Sequence, residues 1–497
     1  MRKTTEKGIT LIALVITIII LLILAGISIQ AITNTGLFEN AKEAKKQSEI
    51  ANIKEQIQLD IYSKQVESIG EITENDLKSI LEKYGTIIYE EDGKTLKGVK
   101  TEEGYEILLS EVYGGEIAQD KGPTFTTVAN APDISGFNKS NTYYVSWDLT
   151  SSPYEINDST LISGTAPSNW YDYTAGVNHW ANVKTTGGGN DCYWVWIPRY
   201  AYKVPEKSST AQTIEIKFLD KTTNIPIGET EEITNTTPTP GEWVVHPAFT
   251  NAGNGGFGEL TGIWVAKYEA SSSNVSAINL ENGILTGDTD SLNGNGGGAD
   301  TTLKVRVKPN VTSWRGITVN GIFTVCRNLT TSGNSLEDTT NIDSHMMKNT
   351  EWGAVAYLSS SKYGKTDTSG NRVRVYNNPY YNNITNYSPI TGLAGATATA
   401  TSVVATNLYV YNTQEGVEAS TTGNVYGVYD MVGGAWEYVA AIYKGGTSND
   451  NRSELWEEAN SKYVDQYTET TGSQSTYYGN IDKYGDAVYE TSSSGRS

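Results

Sequence analysis

The chain has 497 residues and a formal net charge of −20, since 57 acidic residues outnumber 37 basic ones. This balance excludes a general nucleic-acid-binding surface, because phosphate contacts require clustered Lys and Arg side chains. The length predicts roughly two to four structural units. Two cysteines, Cys192 and Cys326, exclude a disulfide framework but leave a single bridge open, and the three scattered histidines give no zinc-type spacing.

An apolar run without any charged side chain occupies residues 9–29. As a helix rising ~1.5 Å per residue it spans roughly 30 Å, the thickness of a bilayer's hydrocarbon core. Arg2, Lys3 and Lys7 precede the run, so the positive-inside rule places the N-terminus in the cytoplasm and the rest of the chain outside. We therefore expect a transmembrane helix over residues 9–30, with residues 9–29 in contact with membrane lipid.

The apolar run begins abruptly at Ile9, directly after basic residues and Gly8. This junction resembles the prepilin-type cleavage and methylation signal of type IV pilins and pseudopilins. The resemblance implies that residues 1–8 are a leader, that a prepilin peptidase cuts after Gly8 and methylates Ile9, and that the helix packs with other pilins. Ala13 stands where most of the family carries Glu, which departs from the pattern of a major fibre subunit. An uncleaved single-pass anchor is the alternative.

A second helix and a small headpiece are predicted next. Residues 31–67 form an amphipathic stem, since isoleucines recur at spacings of three and four: Ile50, Ile53, Ile57 and Ile61. Within a pilin-like headpiece over residues 68–118 we expect a short helix around 77–83. Strand-like runs on either side of Asp92-Gly93 predict a hairpin, and residues 105–113 predict a third strand.

The sequence pattern changes after a glycine-containing linker, and we assign residues 119–497 to one large exterior domain. Helical periodicity is scarce there, short strand-like runs dominate, and loops are long. Two aromatic runs, one starting at Cys192 and one at Gly262, predict buried strands. The chain also has 32 tyrosines, which are typical either of an adaptable binding surface or of a β-rich extracellular fold.

Two later stretches, MMKNTEWGAVAYLSSSKYG and NVYGVYDMVGGAWEYVA, carry a second resemblance. We expect a helix over residues 350–360 in the first, and a strand after Gly433 and Gly434 in the second. Together they resemble the formylglycine-generating-enzyme/sulfatase-modifying family, most specifically over residues 311–440 and more loosely over 190–270. The resemblance implies a C-type-lectin-like fold in which these motif residues are structural: Trp352, Asp430, Gly433, Trp436 and Glu437.

The fold class that follows is α+β: a transmembrane and stem helix with a small α/β headpiece, then a large and mostly irregular C-type-lectin-like domain. Enzymes of the family use two cysteines close together late in the fold, and this chain has none after Cys326. We therefore expect no formylglycine chemistry and no catalytic residue. The closing strands of the family fold are also expected to be missing.

Two loops are candidate binding sites. The glycine-rich loop 285–300 holds carboxylates at Asp288, Asp290 and Asp300, and hard oxygen ligands of this kind suit Ca²⁺, although a solvated linker is the alternative. The loop 375–389 presents tyrosines among asparagines and is the candidate ligand surface, with Tyr376, Tyr380, Tyr381 and Tyr387 as its aromatic residues.

The sequence thus predicts a bacterial surface protein, either in the cytoplasmic membrane with an extracellular C-terminal region or on a pilus or pseudopilus. Its expected role is non-catalytic adhesion through a lectin-like domain that binds a glycan or protein on another surface. A structural pseudopilin of a secretion or uptake apparatus is the first alternative. An oxidase-like enzyme of the formylglycine-generating family is the second.

Overall fold

The computed structural model divides the chain into two compact units, Met1–Lys121 and Gly122–Ser497. In the N-terminal unit it describes residues 15–25, 37–67, 74–90 and 95–114. In the C-terminal unit it describes residues 128–203, 213–236, 239, 241–273, 279–281, 284–286, 301–339, 342–383, 386–399, 402–403, 409–435, 437–444, 455, 457–458, 460, 462–468 and 485. The predicted leader site at Gly8 and Ile9 lies outside these residues.

The N-terminal unit combines helices with one small sheet. Residues 15–25 are helical and exposed, and no helix within the described parts of the chain is long and apolar enough to cross a membrane. The remaining elements are α1 (Leu37–Glu67), α2 (Glu74–Leu81), β1 (Thr86–Tyr89), β2 (Leu96–Lys100), β3 (Glu106–Leu108) and α3 (Leu109–Val112).

The sheet of this unit is antiparallel in the order β1-β2-β3. The predicted hairpin is confirmed, since Thr86 pairs with Lys100 and Ile87 with Val99. The predicted third strand is wrong in its second half, because β3 ends at Leu108 and α3 follows. A helical turn places Leu109 and Val112 on one buried face, whereas a strand would have sent them to opposite faces.

The stem helix α1 forms one side of the headpiece core. Ile57 and Ile61 of the predicted apolar stripe are buried, and they join a cluster completed by Leu77, Ile80, Leu81, Leu96, Val99, Ile107, Leu109 and Val112. A polar contact also joins the same helix to α3, since Lys54 Nζ lies 2.9 Å from Glu111 Oε1. Burial of this stripe, rather than helix propensity, therefore fixes α1 against the sheet.

Shortening one stripe residue tests this packing. Ile57→Ala removes a fully buried side chain, and we expect it to cost about 2–5 kcal/mol of local stability. Leu59→Ala, on the exposed face of the same helix, is the matched control and should have little effect. Native-state hydrogen exchange of β1 to β3 measures both; equal protection in the two variants would contradict the packing role of the stripe.

The C-terminal unit contains many short strands, and its described residues include two α-helices of nine and eleven residues. The strands are β4 (Thr142–Asp148), β5 (Glu155–Asn157), β6 (Asn182–Thr185), β7 (Cys192–Pro198), β8 (Tyr200–Lys203), β9 (Glu215–Phe218), β10 (Trp243–Val245), β11 (Gly262–Ala266), β12 (Ser271–Ser272), β13 (Asn279–Glu281), β14 (Ile284–Thr286), β15 (Val305–Arg306), β16 (Tyr380–Asn383), β17 (Asn386–Ser388), β18 (Leu393–Ala394), β19 (Ser402–Val403), β20 (Tyr409–Val410), β21 (Ala441–Lys444) and β22 (Asp465–Thr468). These two α-helices are α4 (Val319–Arg327) and α5 (Asn349–Ser359). The chain is thus a mixed α and β protein, as expected.

A five-stranded antiparallel sheet in the order β11-β7-β6-β4-β5 organises this unit. The two aromatic runs of the sequence are confirmed as strands and are neighbours, with Trp264 opposite Trp196 and Val265 opposite Val195. After Pro198 the chain passes into β8, the central strand of a second sheet in the order β10-β8-β9. The helix predicted over residues 350–360 is confirmed as α5. The strand expected directly after Gly434 is wrong, because residues 437–439 are not in a strand and β21 begins at Ala441.

Tyrosines and tryptophans fill the core between these elements. Many tyrosines are buried with their hydroxyls paired: Tyr173 donates to the carbonyl of Trp196 at 2.7 Å, and Tyr200 donates to that of Ala354 at 2.7 Å. A ring that is apolar along its body and polar at its tip suits an interior crossed by irregular backbone. For these residues, folding explains the tyrosine content of the sequence.

Candidate functional site

The chain leaves strand β11 through a Lys-Tyr-Glu sequence that enters the interior. The ammonium group of Lys267 is fully buried and donates to the carbonyls of Val425 at 2.6 Å and Gly427 at 2.7 Å. The backbone carbonyl of Lys267 in turn accepts from the N–H of Tyr429 at 2.8 Å. Burial lowers the pKa of Lys267 well below its ordinary value. Lys267 thus anchors the segment that leads to Asp430.

Asp430 is a buried carboxylate on a left-handed residue, with φ of 64°. Its oxygens accept from Asn378 Nδ2 at 2.7 Å, from the N–H of Gly392 at 2.9 Å and from the N–H of Glu269 at 3.2 Å. Burial raises the pKa of Asp430 to about 6, although these donors oppose the shift. Asp430 therefore holds three loops together, because its carboxylate accepts a hydrogen bond from each of them.

Glu269 lies beside Asp430 and is almost entirely buried. Its Oε1 accepts from the N–H of Ala435 at 2.8 Å, and its Oε2 accepts from the hydroxyl of Ser313. Burial, and next the charge of Asp430, raises the pKa of Glu269 well above the ordinary value of a carboxyl group. The side chain thus joins the segment before Trp314 to the segment after Gly434.

A cleft of about 300 Å³ opens between these two segments. Its residues come from the chain after Ser313, from helix α4 and from the chain after Gly434: Trp314, Arg315, Gly316, Ile317, Ile322, Ala435 and Tyr438. Trp314 is largely buried in the wall, whereas 55 % of Tyr438 is exposed. Because Glu269 bonds to Ser313 on one side and Ala435 on the other, its carboxyl group is the joint between the two segments.

The structure brings several of the predicted motif residues to this region. Trp352, on α5, donates its indole N–H to Glu437 Oε2 at 3.1 Å, across 85 positions of sequence. Gly433 lies against Asn378, where an added Cβ would come within 2.3 Å of the carbonyl oxygen. Trp436 lies outside the described residues. The described motif residues therefore hold loops together.

The two cysteines differ in exposure, since Cys192 is buried and Cys326 is half-buried. Cys192, on β7, contacts the carbonyl of Val305 at 3.6 Å, and Cys326 lies within α4. Both are free, and burial raises the pKa of each to about 12. The reactive form of cysteine is the thiolate, so these residues are poor nucleophiles at neutral pH.

Only some of the other predicted binding residues lie within the described part of the chain. Asp288, Asp290 and Asp300 lie outside the described residues, and within the described ranges no group of three or more His, Cys, Asp or Glu side chains is placed to hold a metal ion. Tyr376 is half-buried, with Lys365 Nζ 4.2 Å from its ring centroid. The backbones of Tyr380, Tyr381 and Tyr387 lie in β16 and β17, and their side chains are not described.

Sequence reasoning missed Glu269, Ser313 and Trp314. The available signal was the run after β11, where Lys267 and Glu269 interrupt an otherwise apolar and aromatic pattern. Charged residues within such a run are rarely buried without a specific partner, so they mark an internal site. Nothing in the local sequence around Ser313 shows which residue it bonds.

A glycine substitution tests the joint. Gly434→Ala would place a Cβ 2.2 Å from Glu269 Oε1, at a φ of 69° that disfavours side chains. Gly256→Ala is the matched control, since its φ is 87° but an added Cβ meets nothing within 4 Å. Backbone strain costs both variants about 1–2 kcal/mol. We expect Gly434→Ala to lower the thermal unfolding midpoint by several degrees more; equal midpoints would contradict the close approach.

Comparison of the chain with protein-family models, with curated proteins and with solved structures gave no match. The cleft's own residues indicate what it can accommodate. Trp314 and Tyr438 offer aromatic surface, Ile317 and Ile322 offer aliphatic surface, and Arg315 brings hydrogen-bond donors. This combination suits a small ligand that has an apolar face and polar edges.

Proposed function

We propose that the chain is a bacterial surface protein that binds carbohydrate in the cleft between Trp314 and Tyr438. The observation that carries the proposal is the cleft itself, with its aromatic walls and a volume of about 300 Å³. Ligand pockets range from roughly 300 to 1,000 Å³, so this one suits one or two sugar rings. Glu269 bonds to the segments on both sides of the cleft, through Ser313 and through Ala435.

The chemistry of the lining favours a sugar over a wholly apolar ligand. A sugar ring presents C–H groups on its faces and hydroxyls around its edge. Tyr438 combines an apolar ring with a hydroxyl, and Arg315 carries N–H donors, so both kinds of contact are available. Ile317 and Ile322 add the apolar surface that completes such a site.

The same geometry supports binding rather than catalysis. Asp430 and Glu269 accept hydrogen bonds from several loops, which suits a structural role for both carboxylates. The high pKa values of Cys192 and Cys326 disfavour thiolate chemistry. These observations weigh against the oxidase-like alternative.

We further propose that the C-terminal unit has the C-type-lectin-like fold of the formylglycine-generating-enzyme family. The contact between Trp352 and Glu437 and the central place of Asp430 support this assignment, because the family resemblance implied structural roles for these residues. The leader-like junction at Gly8 and Ile9 supports display outside the cell through a membrane-embedded or pilus-associated helix.

A structural pseudopilin is the second candidate. It is favoured by the N-terminal unit, in which the long helix α1 packs on a small antiparallel sheet through Ile57 and Ile61. The two candidates differ in whether the cleft has a ligand, so the same binding experiment separates them.

The binding experiment uses methyl glycosides of glucose, galactose, mannose, fucose and N-acetylglucosamine with the full-length chain in detergent. We expect saturation-transfer NMR to detect at least one of them. Tyr438→Ala should weaken that binding by about tenfold or more, because one such factor corresponds to about 1.4 kcal/mol and the ring forms an exposed wall of the cleft.

Tyr62→Ala is the matched control, since Tyr62 is also exposed but belongs to α1 of the N-terminal unit. Its affinity for the same glycoside should equal that of the unchanged chain. Binding that is lost equally in both variants, or that Tyr438→Ala leaves unchanged, would argue against the cleft as the ligand site.

The mature N-terminus tests the display mechanism. Mass spectrometry of the chain purified from its native membrane should find an N-methylated peptide that begins at Ile9, because the junction after Gly8 resembles a prepilin leader. Substitution of the glycine, Gly8→Val, should block cleavage. An intact Met1 in the unchanged chain would instead indicate a single-pass anchor.

A further inference from the structure

We propose that the cleft selects N-acetylated sugars, whose acetamido group contacts Arg315 and the isoleucines Ile317 and Ile322. This inference names the class of sugar, and it therefore rests on the proposed carbohydrate-binding function. It concerns one side of the cleft, the segment that leads into helix α4.

A methyl-rich surface lies at the start of helix α4. Thr318 is the residue before the helix, and its Oγ1 accepts from the N–H of Gly321 at 3.1 Å. Ile317 precedes this cap and Ile322 follows in the first turn, which are the two positions of a hydrophobic staple. The side chain of Ile317 lies close to Gly321, where an added Cβ would come within 2.8 Å of its Cγ1. Both isoleucines are half-buried and line the cleft, so the staple gives the cleft aliphatic surface in a fixed place.

Hydrogen-bond donors lie beside this surface. Arg315 lines the cleft two positions before Ile317, and its guanidinium group carries five N–H donors and no acceptor. Donors next to methyl groups suit a ligand group that has an acceptor oxygen and a methyl on one carbon atom. The acetamido group of an N-acetylated sugar has this arrangement. Its N–H needs an acceptor, and the hydroxyl of Tyr438 is one in the same cleft.

A sugar with a plain hydroxyl in place of the acetamido group fits this side of the cleft less well. The hydroxyl would lie against Ile317 and Ile322 and would lose hydrogen bonds to water without gaining a partner from them, which is unfavourable. The acetyl methyl group at the same place buries apolar surface, which is favourable. The isoleucine pair therefore discriminates between the two kinds of sugar.

Arg315 by itself would also suit an acidic sugar, but neighbouring carboxyl groups oppose one. Glu269 bonds to the segments on both sides of the cleft. Asp430 accepts from the N–H of Glu269, and the charge of Glu437 also acts on Glu269. A ligand carboxylate would add a further negative charge to this group, whereas a neutral acetamido group uses the donors of Arg315 without adding one.

The test compares three ligands on the full-length chain in detergent: the methyl glycosides of N-acetylglucosamine, glucose and glucuronic acid. Titration calorimetry gives the affinity for each. We expect the N-acetylated glycoside to bind about tenfold more tightly than the glucoside, a difference of about 1.4 kcal/mol. One buried methyl group and one hydrogen bond to a charged donor account for a factor of this size.

Two variants assign the preference to the isoleucine pair. Ile322→Ala should reduce the ratio of the two affinities by about threefold or more, because part of the contact with the acetyl methyl group is lost. Val319→Ala is the matched control: Val319 lies in the same helix and packs against the same core cluster as Ile322, but it is not among the described residues that line the cleft. Its ratio should equal that of the unchanged chain. A general weakening of α4 acts on both glycosides alike and leaves the ratio unchanged.

Two further probes distinguish the sources of such a sugar. N-acetylated sugars occur in bacterial cell walls and in the glycans of host cells. Tighter binding of the cell-wall disaccharide of N-acetylglucosamine and N-acetylmuramic acid would identify the first source, and tighter binding of the methyl glycoside of N-acetylgalactosamine would identify the second. Either result supports the selection of N-acetylated sugars.

The outcomes separate this inference from the proposed function. Equal affinities for the N-acetylated glycoside and the glucoside, or tighter binding of the glucuronide, overturn the selectivity and leave carbohydrate binding standing. Binding of none of the glycosides refutes the proposed function and the inference with it. A tenfold preference that Ile322→Ala leaves unchanged, or that Val319→Ala reduces equally, overturns the role of the isoleucine pair.

Discussion

The burial of a few charged side chains among irregular loops is the constraint on which the C-terminal unit depends. Backbone outside helices and sheets has no regular ladder, so its buried N–H and C=O groups need other partners. Lys267 supplies donors to the carbonyls of Val425 and Gly427, and Asp430 and Glu269 supply acceptors to backbone N–H groups. Burying an isolated charged group is unfavourable. A buried charged group that hydrogen-bonds to backbone groups instead holds the loops that carry those groups in a fixed arrangement.

The sheet gives these charges their position. Strand β11 pairs with β7 along its whole length, and Lys267 and Glu269 follow directly after it. Because this strand is fixed by its pairing with β7, both side chains are placed among loops that have little regular structure of their own. This arrangement determines the shape of the cleft, because the segments on both of its sides are hydrogen-bonded to Glu269.

The aromatic core complements the polar joint. Tyr173 and Tyr200 fill space with their rings while their hydroxyls satisfy backbone carbonyls deep in the unit. Tyr438, in contrast, stays exposed at the cleft. The same residue type thus serves both the fold and the candidate binding surface, which is why composition alone left these two explanations of the tyrosine content open.

The sequence by itself determined the features that have a local or periodic cause. Isoleucine spacing predicted the buried stripe of α1, two aromatic runs predicted β7 and β11, and the stretch around Trp352 predicted α5. Only the tertiary structure decided that Glu269 meets Asp430, 161 positions away, and that Ser313 and Ala435 converge on one carboxylate. Such contacts join loops distant in sequence and leave no periodic signal, since they arise only when close packing forces buried polar groups to find partners.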